Sequence, residues 1–400
     1  MGRDAAPEDD MKQVWKGLTA LLLCMILLLG GCGKQSGSPE PTPETRPMPS
    51  AAPEPPSPTP SEAPTEKELV LWLAEDAPLG DAIARLAEEY GAMNPALSVR
   101  VQSFASAAEM LRAPGRENAD LLLCEEPTAE ALVAEGALGA LTPPEEWPAL
   151  FRDAPVCAEG RFVPLGAEAA VLALREENLA LLKDCGSMEA LCALAADYGR
   201  THGQPFFSAD SFAQLFACLL GQKGSPFFAM REQDLESESY REVYNLLAEA
   251  AFEGGLVSLE EAVLPAIERG DLVCGVCSSR ALTAAEPGTI AVLPLPPMAD
   301  CEATAPVRIW GLAVSADADT DEAADFIRWL YTDERAAAAA LEQGLAPAGD
   351  FSGGADDAVS AGLALTAQTC RACLPEAQSG YAQRRAEFEQ SFRAALALLG

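Results

Sequence analysis

Basic residues are scarce in this chain. Of its 400 residues, 27 are Lys or Arg against 61 Asp or Glu, a formal charge of −34. A surface that acidic repels phosphate backbones and anionic head groups, so no nucleic-acid partner and no membrane attachment through basic patches is expected. Histidine is scarcer still. His202 is alone, so most metal-hydrolase patterns and any Ser-His-Asp mechanism would have to route through one imidazole. No G-x-S-x-G elbow, phosphate loop or dinucleotide fingerprint is present. A glycosidase needs only a carboxylate pair in a cleft, and carboxylates are too many here to test that by sequence. The expectation is a chain with no catalytic residues, no cofactor and no metal.

Residues 33–66 lack something else: they contain no aromatic and no Leu, Ile or Val. Pro, Ser, Thr, Glu and Ala cannot build a core, so this stretch reads as a disordered tether of polyproline character. Fully extended, it spans about 100 Å. Before it, an apolar run from Leu18 to Leu29 follows Lys12 and Lys16. That pattern is a secretory signal, and it falls short of the about 20 apolar residues a membrane span needs. The run ends in Leu29-Gly30-Gly31-Cys32, which resembles the lipobox of bacterial lipoproteins. The resemblance implies that the signal within residues 1–32 is cut off just ahead of the cysteine, which becomes the first residue and carries a lipid. Diacylglycerol there would supply the two chains that stable anchoring takes. The mature chain would carry 24 basic and 57 acidic residues, so the lipid is the expected membrane link, on the extracytoplasmic face. Residues 1–10 are net acidic, unlike a signal's start, and Met11-Lys12 opens a complete signal by itself. Translation is therefore expected to begin at Met11, and mapping the N-terminus of the precursor checks it.

Ten cysteines remain after Cys24 and Cys32. Scattered through a body large enough to need no staples, most read as buried thiols. Two C-x-x-C pairs stand out, Cys274–Cys277 and Cys370–Cys373. Zinc or a local disulfide is the sharper reading of them, small apolar packing the plainer one.

The body opens with Leu69-Val70-Leu71-Trp72-Leu73, a continuous apolar run that suits a strand buried on both faces. A helix carrying Ile83, Leu86, Ala87 and Tyr90 follows, capped by Asp81 and ended by Gly91. Strands over 98–102 and 120–124 and a helix over 128–135 continue the alternation of βαβ units over a mostly parallel sheet. In order come LVLWLAED, ADLLLC, EALVAEGALGALTP, FVPLGAEAAVLALREENL, AIERGDLVCGVCSSRAL, IAVLPLPP, VRIWGLAVSADADTDEAADFIRWLYTDERA and GLAPA. This set, over about residues 67–348, resembles the family 1 extracellular solute-binding proteins of ABC importers. The family's usual Tyr-Asn is Leu174-Arg175 here, and the C-terminal region is short.

The resemblance implies an α/β, two-lobed periplasmic-binding-protein-like fold of type II, with sheets joined by crossover strands. One lobe would hold residues 67–172 and 291–345, the other 173–290 and 346–400. It also implies a small-molecule solute, sugar or oligosaccharide first, and ABC transporter permease subunits as partners of a monomer. A polyamine or other cationic solute is the alternative, and a sensing or adhesion lipoprotein of the same fold a third reading.

Independently, ligands of open α/β sheets bind outside the carboxyl ends of strands. That rule selects Glu75 and Asp76, Glu125 and Glu126, and Ser278, Ser279 and Arg280, with Glu168 beside the expected crossover. Trp310 precedes Gly311 where the family brings a residue to the ligand. Carboxylates accept paired hydroxyls and aromatic faces stack on sugar rings. Each carboxylate is equally readable as solvated surface, and Trp310 as core. For Asp210, helix capping is the first reading and ligand binding the second.

Overall fold

The computed structural model describes residues 67–141, 147–152, 157, 159–225, 237–318, 320–349, 357–373 and 381–399. The signal, Met11, Cys32 and the tether lie outside them. Among the described residues, no helix is long and apolar enough to cross a membrane.

The first part of the body runs β1 (Lys67–Ala74), α1 (Gly80–Met93), β2 (Leu97–Phe104), α2 (Ala107–Arg112), β3 (Leu121–Glu125), α3 (Glu126–Ala134) and α4 (Ala149–Arg152). β1 lies between β2 and β3, parallel to both. Its residues from Leu69 to Ala74 are all buried, which is why its sequence shows no alternation. The stripe Ile83, Leu86, Ala87 and Tyr90 is buried as expected. The helix ends differ from expectation. Asp81 sits in the first turn of α1 rather than capping it, and Gly91 lies inside the helix. A Cβ at Gly91 would stand 3.2 Å from Val99 Cγ2, so this glycine lets α1 approach β2 instead of stopping the helix.

The second part comprises β4 (Phe162–Arg175), α5 (Leu179–Leu182), α6 (Met188–His202), β5 (Phe207–Ala209), α7 (Phe212–Gln222), α8 (Glu238–Phe252), α9 (Val263–Arg269), β6 (Cys274–Ser278) and β7 (Ile290–Leu293). The chain then passes through β8 (Thr304–Val314), α10 (Thr320–Tyr331), α11 (Arg335–Glu342), β9 (Ala346–Pro347), α12 (Ala358–Thr369), β10 (Arg371–Cys373) and α13 (Tyr381–Leu399). Strand order is β2-β1-β3-β8-β4-β6-β5. Every antiparallel pair involves β4 or β8, and the other pairs are parallel, as is β8 with β10.

Those two strands hold the molecule together. β4 pairs with β8 from Phe162 to Ala169, then with β6 from Ala170 and β7 from Leu172. Its faces serve different cores. Leu165, Ala167, Ala169, Val171 and Ala173 join a cluster with β1, β3 and β8, while Ala170, Leu172 and Leu174 join one with α6, α7 and α8. The period of two that strand geometry imposes thus divides one strand between two cores. The same period disposes of the first C-x-x-C pair: Cys274 belongs to the second core and Cys277 to the first, so their thiols leave opposite faces of β6. Among the described residues, no three His, Cys, Asp or Glu gather to hold a metal ion.

α13 closes the second core. Phe388, Phe392 and Leu396 pack there beside Phe212, Phe216 and Tyr240. Glu389 accepts from the amides of Phe212 and Ala213 at the open end of α7, at 3.2 and 2.8 Å. Arg393 donates to Glu389 at 2.7 Å and to the carbonyls of Asp210 and Leu259 at 2.8 and 2.9 Å. Charge-assisted bonds to otherwise orphaned backbone groups are strong. Arg393→Ala is expected to lower stability by about 2–3 kcal/mol, read as a lower urea midpoint. An unchanged midpoint would mean that solvent replaces these bonds at no loss.

Candidate functional site

β3 ends at Glu125, and α3 begins at the next residue, with Pro127 at its start. A proline there has no amide to leave unpaired and a preset φ, so the chain turns into the helix without a loop. Across β3, the Cα partner of Glu125 is Trp310 of β8. Across the next pair, the partner of Arg308 is Glu168 of β4. Directly opposed residues share a face, and so do residues two apart on one strand. Glu125, Arg308, Trp310 and Glu168 therefore project to one side of the sheet.

Their side chains form a polar row across four strands. The Arg308 guanidinium pairs with the Glu125 carboxylate and stands 3.9 Å from Glu168 Oε2. Ser278, at the end of β6, donates to Glu168 Oε1 at 2.6 Å. The row runs from β3 through β8 and β4 to β6, across the strands that join the two cores.

Beside it lie buried polar groups with nothing to bond. Glu126 is 2% exposed, and its Oε1 has no hydrogen-bond partner. Burial, with a smaller contribution from Glu130, raises its carboxyl from 4.5 to about 7. Trp310 is 6% exposed, and its indole N–H is likewise unpartnered. The indole of Trp147 is also unpartnered, but it packs in the first core. Such groups are uncommon in folded proteins. Glu126 and Trp310 offer one acceptor or acid and one donor to a hydroxylated ligand.

Glu75 and Asp76 are exposed. The Glu75 amide donates to Phe104 O at the end of β2 at 2.8 Å, and Asp76 Oδ1 accepts from the Ala107 amide at the start of α2 at 3.2 Å. Asp210 accepts from the amide of Val263 at 2.8 Å and so caps α9, while Ser211 caps α7 by accepting from Gln214 at 3.2 Å. Burial raises the Asp210 carboxyl, opposed by the Val263 amide and Arg393. Ser279 is wholly buried, and its Oγ accepts from the Ala169 amide at 3.0 Å, latching β4. Arg280 is exposed, and its amide donates to Ser278 Oγ at 3.2 Å.

Arg308 was not among the sequence candidates, because it lies within β8 and not at its end. A cation two residues before Trp310 in an otherwise apolar strand, in a chain this short of cations, was the available signal.

Residues 85–358 match the model of a family described as bacterial extracellular solute-binding proteins. No curated protein matches the chain in sequence. Several solved structures share the fold. A cyclo/maltodextrin-binding protein complexed with maltotetraose is 15% identical, with a TM-score of 0.63 over 84% of this chain and 96% of that one. A probable secreted solute-binding lipoprotein from Streptomyces coelicolor is 15% identical, with a TM-score of 0.64 over 84% and 99%. The cyclic alpha-maltosyl-1,6-maltose binding protein from Arthrobacter globiformis is 16% identical, with a TM-score of 0.60 over 82% and 98%. These likenesses establish the two-lobed α/β fold. With its family match covering more than half its length, the chain belongs to the bacterial extracellular solute-binding proteins.

Proposed function

We propose that this protein, anchored by lipid on Cys32, captures a carbohydrate between two lobes and presents it to the permease of an ABC importer. The observation that carries the reading is the polar row from Glu125 through Arg308 and Glu168 to Ser278. A solute touching both ends of it would hold the two parts of the molecule together. The proposed motion is hinge closure about β4 and β8, with ligand contacts in both lobes shifting the population toward the closed form. Trp310 offers a ring face and an unpartnered donor, which suits a sugar ring carrying hydroxyls. The sugar ligands of the maltodextrin and cyclic maltosyl-maltose binding proteins support the same class.

A cationic solute is the second reading, because Glu125, Glu126 and Glu168 outnumber Arg308. Arg308 already engages two of those carboxylates, and burial raises the carboxyl of Glu126 to about 7, which weakens its hold on a cation. Carbohydrate is the better fit.

A thermal-shift series with maltotetraose and spermidine tests the choice. A ligand at 100 times its Kd adds about 2.7 kcal/mol, a rise of several degrees for a chain this size. A shift with spermidine alone would replace carbohydrate by the cationic reading, and no shift with a wide sugar panel would remove it. Trp310→Ala is expected to abolish the sugar shift while unfolding stays cooperative. Unchanged affinity in that variant would return Trp310 to the core.

A further inference from the structure

A cavity of about 470 Å³ shares no residue with the polar row. Leu172 of β4, Leu179 and Leu182 of α5, and the segment Leu293–Pro297 leaving β7 form its walls. Its volume lies within the roughly 300–1,000 Å³ of small-molecule sites. The walls are mostly apolar, so a sugar would lose hydrogen bonds on entering. α5 also leaves Leu179 and Leu181 exposed beside it, two of the few large apolar side chains so placed among the described residues.

At the rim stands Lys183. It is exposed, its neighbour in sequence is Asp184, and it forms no ion pair among the described residues. The lysine stem can lie along the apolar wall while its ammonium faces the mouth.

We propose that this cavity binds an amphipathic monoanion, an alkyl carboxylate or sulfonate whose chain fills the leucine and proline walls and whose head group meets Lys183. The site is separate from the solute cleft and does not depend on what that cleft binds.

Isothermal titration of the full chain with sodium decanoate, below micelle-forming concentrations, tests it. Saturable one-site binding is expected, with none for decyltrimethylammonium. Lys183→Glu is expected to weaken decanoate about tenfold, since the rim pairing is replaced by repulsion. Gly186 also lines the cavity, and a Cβ there meets nothing within 4 Å. Gly186→Trp is therefore expected to fold, which circular dichroism checks, and to obstruct the site, abolishing the titration. Absence of saturable decanoate binding, equal binding of the cation, or unaltered binding in Gly186→Trp would each overturn the assignment.

Discussion

Replacing Gly311 with alanine is expected to destabilise the protein by about 3 kcal/mol, seen as a lower urea midpoint at unchanged m-value. Gly311 lies next to Trp310 in β8, opposite Pro164 of β4. A Cβ there would stand 2.2 Å from Val163 O, 2.8 Å from the Phe162 ring and 2.9 Å from Pro164 Cα. Two of those atoms are backbone of the neighbouring strand and cannot rotate away. Relief requires β4 and β8 to part, and both are packed on buried faces. Overfilling a packed interior costs about 1–3 kcal/mol, more where the backbone must move. Gly186→Ala is the control. Its added methyl meets nothing, so it should stay within about 0.5 kcal/mol of the parent. A Gly311→Ala protein as stable as the parent would show that the two strands yield easily. Because Trp310 and the polar row sit on the same pair of strands, the variant should also lose sugar affinity.

The second large effect is a pH dependence set by Glu126. Burial holds its carboxyl near 7 in the folded protein against 4.5 when unperturbed. Below pH 4.5 both folded and unfolded chains keep the proton, and the residue contributes nothing. Between 4.5 and 7 the unfolded chain releases it while the folded chain retains it, so stability falls as pH rises. Above 7 the loss is complete. At about 1.4 kcal/mol per pH unit of displacement, it amounts to about 3 kcal/mol at pH 8. Glu126→Gln keeps the shape and removes the charge. It should match the parent near pH 4 and exceed its stability at pH 8 by up to about 3 kcal/mol, flattening that part of the profile. Parallel urea-midpoint profiles for the two proteins would sink this reading of Glu126.

Much of the fold was legible residue by residue. Leu69–Leu73 read as a strand buried on both faces because a continuous apolar run of that length has few other uses, and it lies between two parallel partners. The helix stripe Ile83, Leu86, Ala87 and Tyr90 was legible because its spacing repeats with the helical turn, and all four residues are buried. Gly91 was misread because a glycine that ends a helix and one that admits a neighbouring strand look alike until Val99 is in place. The strand-end rule put Glu125 and Ser278 at the ends of β3 and β6, where they lie, while Glu168, expected beside the crossover, lies within β4, and Glu75 and Asp76 stand exposed past the end of β1. It passed over Arg308, which owes its place to strand register and not to position along β8.

From sequence alone came the strong negative charge, the expectation of export and lipidation, the Pro-rich composition of residues 33–66, and the type of the first strands and helices of the body. These follow from composition and local periodicity, which short-range physics controls. Tertiary structure decided which acidic residues stand together. Glu125, Arg308, Glu168 and Ser278 come from distant parts of the chain and meet only through the registers of β3, β8, β4 and β6. It also decided that Glu126 is buried rather than solvated and that Cys274 and Cys277 face different cores. Register and burial depend on how whole strands pack, and no local window of residues contains that information.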